Sequence, residues 1–464
     1  MDTHYQAAEK AAQILQSKGF DAYIIGGAVR DLLLGHPPKD YDLATNATPE
    51  QLLAIEEFAN PQHTDPAQAY GVTRTKILVK NELVPIEITT YRRDIEAHLG
   101  RKLTKVEFAA LEDDVLRRDF TVNALALDPL NYYLADLVNG LSDLNKRFIR
   151  FIGKPTDRIK EDPLRVLRAI RFKCRLGFRY EDTTFDALTA AINNDVLSQV
   201  ATDRLRNELT HMLTHPTREE AVEDLDTLNV IKLVLPELEA TKNIMQPDQY
   251  HSEGDVFRHS LLAIRYLPDN ISARLAWATL LHDIGKAPTF EPIEITGDRI
   301  RFNQHHSEGA KLAGNILKRL NFSKKLTEEI TWMIHYHMAI AYLPEMRPGH
   351  AATFMNHPAF ADLLELHRAD AHATWNKADG HIHTSAPNLS AIEKIYKEFL
   401  AKPKPKSLKE DLGIDGNWVL QNFPQIQKGE QLGQILQELK LIYLEEDLLS
   451  KEKAIKIIKD RITN

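Results

Sequence analysis

A short apolar run, Ala22-Tyr23-Ile24-Ile25, ends on two adjacent glycines, and this junction constrains the chain more than any other feature. The run reads as a buried strand that stops where the backbone must turn. Two glycines let the main chain bend sharply and approach a ligand closely, with amide N–H groups free to meet phosphate. Val29 to Leu34 follows as a helix closed by Gly35, and His36-Pro37-Pro38 turns the chain into a second short strand. There Asp40 and Asp42 stand two residues apart, so alternation points both carboxylates to one face. Such a pair suits a Mg²⁺ ion held by a few protein oxygens and by substrate phosphates. Two solvated aspartates on a strand edge are the common alternative, and the double glycine with Arg30 just ahead argues against it.

Taken together, Gly26-Gly27-Ala28-Val29-Arg30-Asp31, Leu33-Leu34-Gly35 and Asp40-Tyr41-Asp42 resemble the first motif of a known family. It is that of the nucleotidyltransferases that build or extend RNA 3′ ends, in the bacterial class of CCA-adding enzymes and poly(A) polymerases. The resemblance implies that Asp40 and Asp42 are catalytic and hold the metals (Mg²⁺), while Gly26, Gly27 and Arg30 face the triphosphate. It also implies CTP and ATP as substrates and the tRNA 3′ end as partner.

Bulk properties permit this. A chain of 464 residues predicts two to four domains, and 43% apolar with 27% charged residues is ordinary globular composition. A formal charge of −8 confines any nucleic-acid site to a local basic patch. The single cysteine, Cys174, excludes an intramolecular disulfide framework and suits a reducing compartment. No signal pattern and no apolar run of spanning length is present, so a soluble, cytoplasmic protein is expected.

Around the first motif, residues 4–19 are spaced as an amphipathic helix, Thr48-Pro49-Glu50 opens another, and 71–79 and 83–91 read as strands. Glu87 reads either as a third metal-site carboxylate or as an outward strand residue. Arg92 to Lys105 reads as a mobile loop. In the resembling enzymes a loop here helps the site pass from CTP to ATP, with Arg92, Arg93, Asp94, Arg101 and Lys102 as its charges.

Arg117-Arg118-Asp119-Phe120-Thr121-Val122-Asn123-Ala124 comes next. Paired guanidinium forks suit polyphosphate, and Asp119 with Asn123 can bind ribose hydroxyls. A capped helix start, on Asp119 or Thr121, is the plainer reading. The block resembles the family's second motif, and Asp136, Gly140 and Asp143-Leu144 fit its third.

In Glu161-Asp162-Pro163-Leu164-Arg165-Val166-Leu167-Arg168, helical spacing puts Glu161, Asp162, Arg165 and Arg168 on one face, with Pro163 in the first turn. Asp162 and Arg165 offer an acceptor and a donor fork able to read one base edge, and Glu161 can hold the guanidinium. A helix surface laced with ion pairs is the default for an isolated match. Resemblance to the family's fourth motif, in which protein side chains select the nucleotide, favours base reading. Asp203-Arg204-Leu205 and Glu208-Leu209 lie near its fifth motif, read as structural. The resemblance runs from Ile14 to about Pro236.

A different chemistry opens at Tyr250-His251-Ser252-Glu253-Gly254-Asp255. His259, His282-Asp283-Ile284-Gly285-Lys286, His305-His306, His335, His337 and Asp370 follow. Imidazoles with carboxylates are borderline ligands for Zn, Ni, Co or Mn, able to lower the pKa of bound water for phosphate-ester hydrolysis. This part resembles the HD phosphohydrolase superfamily. The resemblance implies His259, His282, Asp283 and Asp370 as ligands, with His305 and His337 as the extra histidines of two-metal members and His306 and His335 as competitors. Ala401-Lys402-Pro403-Lys404-Pro405-Lys406 reads as a stiff linker, and 430–461 as helical, its lysines a solvated face or an RNA contact.

The expected architecture is α+β: a mixed-sheet nucleotidyltransferase head (1–150), a helical neck (151–245), an all-helical HD domain (246–400) and a helical tail (401–464).

Overall fold

The structure, a computed structural model, describes residues 2–58, 66–96, 105–247, 251–378, 381–384, 388–401, 408–445 and 450–463. Two compact units emerge, Met1–Val234 and Leu235–Asn464. Among the described residues no helix is long and apolar enough to cross a membrane.

The first unit begins with α1 (Thr3–Ser17), capped by the Asp2 side chain and burying Ala7, Ala8, Ala11, Ala12 and Leu15. β1 (Tyr23–Ile25), α2 (Gly27–Leu33), β2 (Leu43–Thr45) and α3 (Pro49–Leu53) follow, α3 opening on a Thr48/Gln51 capping box. Next come β3 (Val72–Val79), β4 (Glu82–Thr90), β5 (Arg92–Glu96), β6 (Lys105–Phe108), α4 (Leu111–Leu116), β7 (Ala126–Leu127), β8 (Leu134–Ala135) and α5 (Gly140–Lys146). A six-stranded sheet takes the order β3-β4-β2-β1-β7-β8, and its β2–β4 pair alone is parallel. β4 alternates as its sequence requires, burying Val84, Ile86 and Ile88 while Glu87 faces the other way.

Several local expectations need correction. α2 starts at Gly27, two residues earlier than the apolar spacing suggested. Asp40 and Asp42 precede β2 instead of lying in it, although Ile25 N still donates to Asp42 O at 3.1 Å. The aspartates therefore occupy the extended lead-in, beyond the regular ladder. The stretch 92–105 is not wholly loop: β5 and β6 pair antiparallel, and Arg93 bonds Glu107 across them at 2.9 Å. Arg101, Lys102 and the Asp94 side chain lie outside the described residues, as do Tyr250 and the lysine–proline linker from Lys402.

The base-reading block is not one helix. α6 (Pro155–Glu161) ends, Asp162 is extended at φ −145°, and α7 (Arg165–Leu176) begins after Pro163. The pyrrolidine ring disfavours helical geometry in the residue before it, so the chain breaks at Asp162. Short helices from Asp182 to Val234 complete the unit.

In the second unit the helices Val256–Arg265, Ala273–Leu281, His305–Arg319, Lys324–Tyr336 and Phe360–Ala373 carry or adjoin the histidines. The tail builds its own core from Ile414, Val419, Phe423, Ile435, Leu439 and Ile458. Two of its basic residues are engaged internally: Lys451 sits over the Trp418 ring, and Arg461 bonds Glu438 at 2.7 Å.

Candidate functional site

Gly26 turns the chain from β1 into α2 at φ +81°, and a Cβ there would meet Arg118 Nη1 at 3.3 Å. Only glycine satisfies both demands comfortably. The turn opens a cavity of about 1080 Å³ lined by Gly26, Gly27, Arg30, Asp40, Asp42, Arg117, Arg118, Asp119, Asn123, Glu161, Asp162, Arg165 and Arg168. Every residue expected at the nucleotide site is thus on one wall or another of a single cavity.

Among the described residues neither Asp40 nor Asp42 has a hydrogen-bond donor or an ion-pair partner. Asp42 opens onto the cavity, yet enough protein surrounds it to matter. Desolvation, then the Glu87 and Asp40 charges, push its carboxyl up to about 6 against the pull of Arg118. Glu87 also lines a smaller cavity with Asp40 and Asp42, while bonding Arg74 at 3.1 Å. Asp40 and Asp42, crowded together and without a side-chain donor among the described residues, fit a hard divalent cation held by oxygen ligands.

Arg117 and Arg118 both fork onto Asp114, which is fully buried within α4. Burial opposes ionisation of Asp114, but the two guanidinium groups outweigh it and hold the carboxyl below its ordinary range. Asp114 was not expected at the site, although an acid three and four residues before an arginine pair is a readable signal. Arg30 is itself buried, donating to Asp31 and to Asn123. Asp119 accepts from Phe120 N at 2.8 Å and from Asn123 at 3.3 Å, and Arg168 grips its other oxygen at 2.6 and 2.8 Å. No side chain caps the 3₁₀ turn Thr121–Asn123.

At the α6–α7 break, Glu161 holds Arg165 at 2.8 Å, the pairing expected from their spacing. Arg165 also donates to the carbonyls of Arg158 and Arg117 at 2.8 and 3.0 Å, so its plane is fixed. The Asp162 side chain does not pair with the Arg165 guanidinium, although Arg165 N donates to Asp162 O at 3.0 Å; the carboxylate takes a two-pronged bond from Arg204 at 2.8 and 3.1 Å. Arg158 bonds Glu161 and the carbonyls of Arg117 and Arg118, tying the two arginine blocks together. The Arg158–Glu161 pair is a readable i,i+3 spacing, but the bonds of Arg158 to the Arg117 and Arg118 carbonyls and of Arg204 to Asp162 join residues about 40 apart and leave no local trace.

The second unit gathers the other ligand set. His259, His282 and Asp370 form one cluster, and Asp283, His305 and His337 another. Asp283 joins them: its Oδ2 lies 3.2 Å from His282 Nε2 and 3.7 Å from His259 Nε2, its Oδ1 3.6 and 3.7 Å from His305 and His337. Imidazole nitrogens and carboxylate oxygens gathered this closely, all within 4.8 Å of one another in each cluster, are a donor set that would hold a divalent transition metal.

Tautomers agree with that fit. The Nδ1 atoms of His282, His305 and His337 bond the carbonyls of Thr279, Phe302 and Ile334, leaving each Nε2 to face the acids. The buried Nε2 of His282 has no partner of hydrogen-bonding geometry, and His305 and His337 aim Nε2 at one another across 3.4 Å. Burial drives the His337 ring down to about 3. His306 and His335 belong to neither cluster and pack on each other, ring centroids 5.3 Å apart. A cavity of about 700 Å³ reaches Asp283, His305, His337 and Asp370, its wall including His251, Lys286, Arg299, Arg301 and Tyr342.

Gly285 sets the two clusters together. A Cβ there would lie 2.0 Å from His305 O and 2.5 Å from Gly309 N, so the turn after Asp283 rests directly on the backbone of the helix His305–Arg319.

Comparison with known proteins follows the same division. A model described as the Poly A polymerase head domain matches residues 22–150, and one described as the HD domain matches 256–351. Between them, "Probable RNA and SrmB- binding site of polymerase A" matches 177–242. The chain is 30% identical to the multifunctional CCA protein of Legionella pneumophila (strain Paris), over 70% of its own length and 77% of the relative's. It is 32% identical to the A-adding tRNA nucleotidyltransferase of Deinococcus radiodurans, over 90% of each chain. The fold resembles that of the Bacillus stearothermophilus CCA-adding enzyme crystallised with CTP, at TM-score 0.68 and 22% identity over 100% of this chain and 99% of that one.

Proposed function

The chain belongs to the family of CCA-adding and A-adding tRNA nucleotidyltransferases, and from that premise we propose that it adds or repairs the terminal CCA of tRNA from CTP and ATP. The observation that carries the site assignment is the convergence of the separate sequence blocks on one cavity beside two donor-free aspartates.

In this reading Asp40 and Asp42 bind a divalent metal, Mg²⁺, which when bound activates the attacking oxygen and neutralises charge on the phosphates. The RNA 3′-hydroxyl attacks the α-phosphate, the bond to the β-phosphate breaks and pyrophosphate leaves. Arg117 and Arg118, oriented by Asp114, offer their remaining N–H groups to the polyphosphate. Asp162 and Arg165 read the base, Glu161 keeping the Arg165 fork in place. Lys39 and Arg175 line the same cavity, are exposed, and lack a carboxylate partner among the described residues. We assign them to phosphates of the entering RNA strand, which must cross the cavity rim.

The second unit carries a phosphohydrolase centre, with a transition metal such as Ni²⁺, Mn²⁺, Co²⁺ or Zn²⁺ on His259, His282, Asp283, His305, His337 and Asp370. We keep the domain limits at 1–150, 151–245, 246–400 and 401–464, and place the enzyme in the cytoplasm, where a lone buried thiol is stable. A second reading, addition of the terminal A only, is favoured by the A-adding relative that spans nearly the whole chain.

Paired variants test the assignment. Asp42→Ala should abolish incorporation of labelled CTP and ATP into tRNA while nucleotide binding persists. His282→Ala with Asp283→Ala should abolish phosphoester hydrolysis and spare incorporation. Near-normal transfer by Asp42→Ala would sink the site.

A further inference from the structure

One buried carboxylate stands just outside the second metal centre, with no part in the chemistry assigned above. The Glu253 side chain is wholly buried, and both its oxygens are used. Oε1 accepts from Nδ1 of His259 at 2.9 Å and from Nδ1 of His251 at 2.7 Å, and Oε2 accepts from Trp375 N at 3.0 Å. Its neighbour Ser252 bonds Trp375 O through both its N–H and its hydroxyl, each at 2.8 Å. Glu253 is thereby pinned between the chain leading into the His259 helix and the chain leaving the Asp370 helix.

The need for such a residue follows from where the histidines sit. His282 and His337 follow the last turns of their helices and His305 starts one, each with its Nδ1 on a carbonyl three residues back. A helix C-terminus leaves carbonyls such as those of Thr279 and Ile334 free, and Phe302 O lies ahead of its helix altogether. His259 lies inside the helix Val256–Arg265, where the carbonyls behind it are occupied: Asp255 O takes His259 N, and Val256 O takes the Ser260 hydroxyl. Its Nδ1 therefore needs an anchor from outside the helix. A carboxylate serves better than a carbonyl, because a charge-assisted bond is stronger and makes the ring a more basic ligand.

We propose that Glu253 is the positioning residue of this centre, holding His259 as the Nδ1–H tautomer so that Nε2 meets the metal beside Asp370. The same oxygen sets the His251 ring against the cavity wall, 5.2 Å from His259 in an edge-to-face contact. The inference rests on the metal-centre reading of the second unit.

Metal binding by the full chain tests it. Wild type, Glu253→Gln, His251→Asn and the His282→Ala/Asp283→Ala double variant are stripped with chelator and titrated with Co²⁺, followed by calorimetry and by the visible ligand-field band. Glu253→Gln keeps the shape but loses the charge, and should bind Co²⁺ about 10–100-fold more weakly with a shifted band. Its tRNA 3′-end transfer and unfolding midpoint should match wild type, as checks of folding. Should it not fold, Glu253→Asp, which withdraws the charge by one methylene, is expected to show the same loss. His251→Asn should bind Co²⁺ as wild type does. Unchanged affinity and spectrum in Glu253→Gln would overturn the proposal. A tenfold loss in His251→Asn would do so too, by making His251 a ligand in its own right. Full binding by the double variant would instead remove the metal centre on which the inference stands.

Discussion

Asp42 must be ionised to hold a cation, yet its surroundings resist ionisation. With its carboxyl pushed up to about 6, the metal-binding form is lost as pH falls through that value. At limiting Mg²⁺ the transfer rate should therefore drop about tenfold per pH unit below 6 and level off above it. Saturating Mg²⁺ should move the midpoint down, because proton and metal compete. A flat profile to pH 5 at limiting Mg²⁺ would contradict this. Cys174, on the inner side of α7, gives a second residue-scale check. Burial, then the charge of Asp224, pushes its thiol up to about 12. Iodoacetamide at pH 8 should label it only after denaturation; rapid labelling of native protein would show the helix face to be open.

Groups set by local spacing were legible as groups: the aspartate pair and the arginine pair line one cavity, and His282 and Asp283 lie in the histidine cluster. Those whose partner arrives through the fold were not. Asp162 was expected to work with Arg165, three residues on, but its ion pair is with Arg204. Glu253 meets His259 and Trp375 together only because the last helix of the cluster returns beside the first.

At the scale of elements, the break between α6 and α7 separates Asp162 and Arg165, the two residues proposed to read the base, into different environments. Asp162 belongs to the linker and is held by Arg204, while Arg165 is fixed in the first turn of α7. Replacing Asp162 with Ala removes a charged hydrogen-bond partner, a loss of about 1.5–3 kcal/mol. Selection of CTP and ATP over UTP and GTP should fall roughly ten- to hundredfold, read from competing incorporation rates. Unchanged selectivity would remove Asp162 from base reading. Helical periodicity missed this break because it weighed the face of the helix and passed over the residue ahead of Pro163. The HD turn makes the converse case. Gly285 was legible as part of a motif, but the reason for glycine is a contact with the helix His305–Arg319. Gly285→Ala should cost about 3 kcal/mol through overpacking and release bound metal from the second unit, followed by calorimetry and metal analysis. Normal metal content and stability would show that the turn can shift.

For the whole molecule, the α+β character and the division of labour were readable from the order of the motifs. The edge of the packing units was less so. The chemistry changes near residue 246, but the second compact unit starts at Leu235, where Glu237 already bonds Arg319 at 2.6 and 2.8 Å. Such a contact, 82 residues apart, leaves no local trace. The order β3-β4-β2-β1-β7-β8 was likewise beyond the pattern, since alternation reports which face is buried and not which strand is next.

The central claim is nucleotide addition to tRNA at the Asp40/Asp42 cavity. Its most direct test uses three tRNA transcripts, ending at the discriminator base, at CC and at CCA. Each is incubated with Mg²⁺ and CTP, ATP or both, and resolved at single-nucleotide length. The account predicts three additions to the first transcript, one to the second and none to the third, all lost in Asp42→Ala. Extension of only the CC transcript would make it an A-adding enzyme, and long A tracts a poly(A) polymerase. No extension of any transcript would contradict the account and leave the second metal centre as the molecule's chemistry.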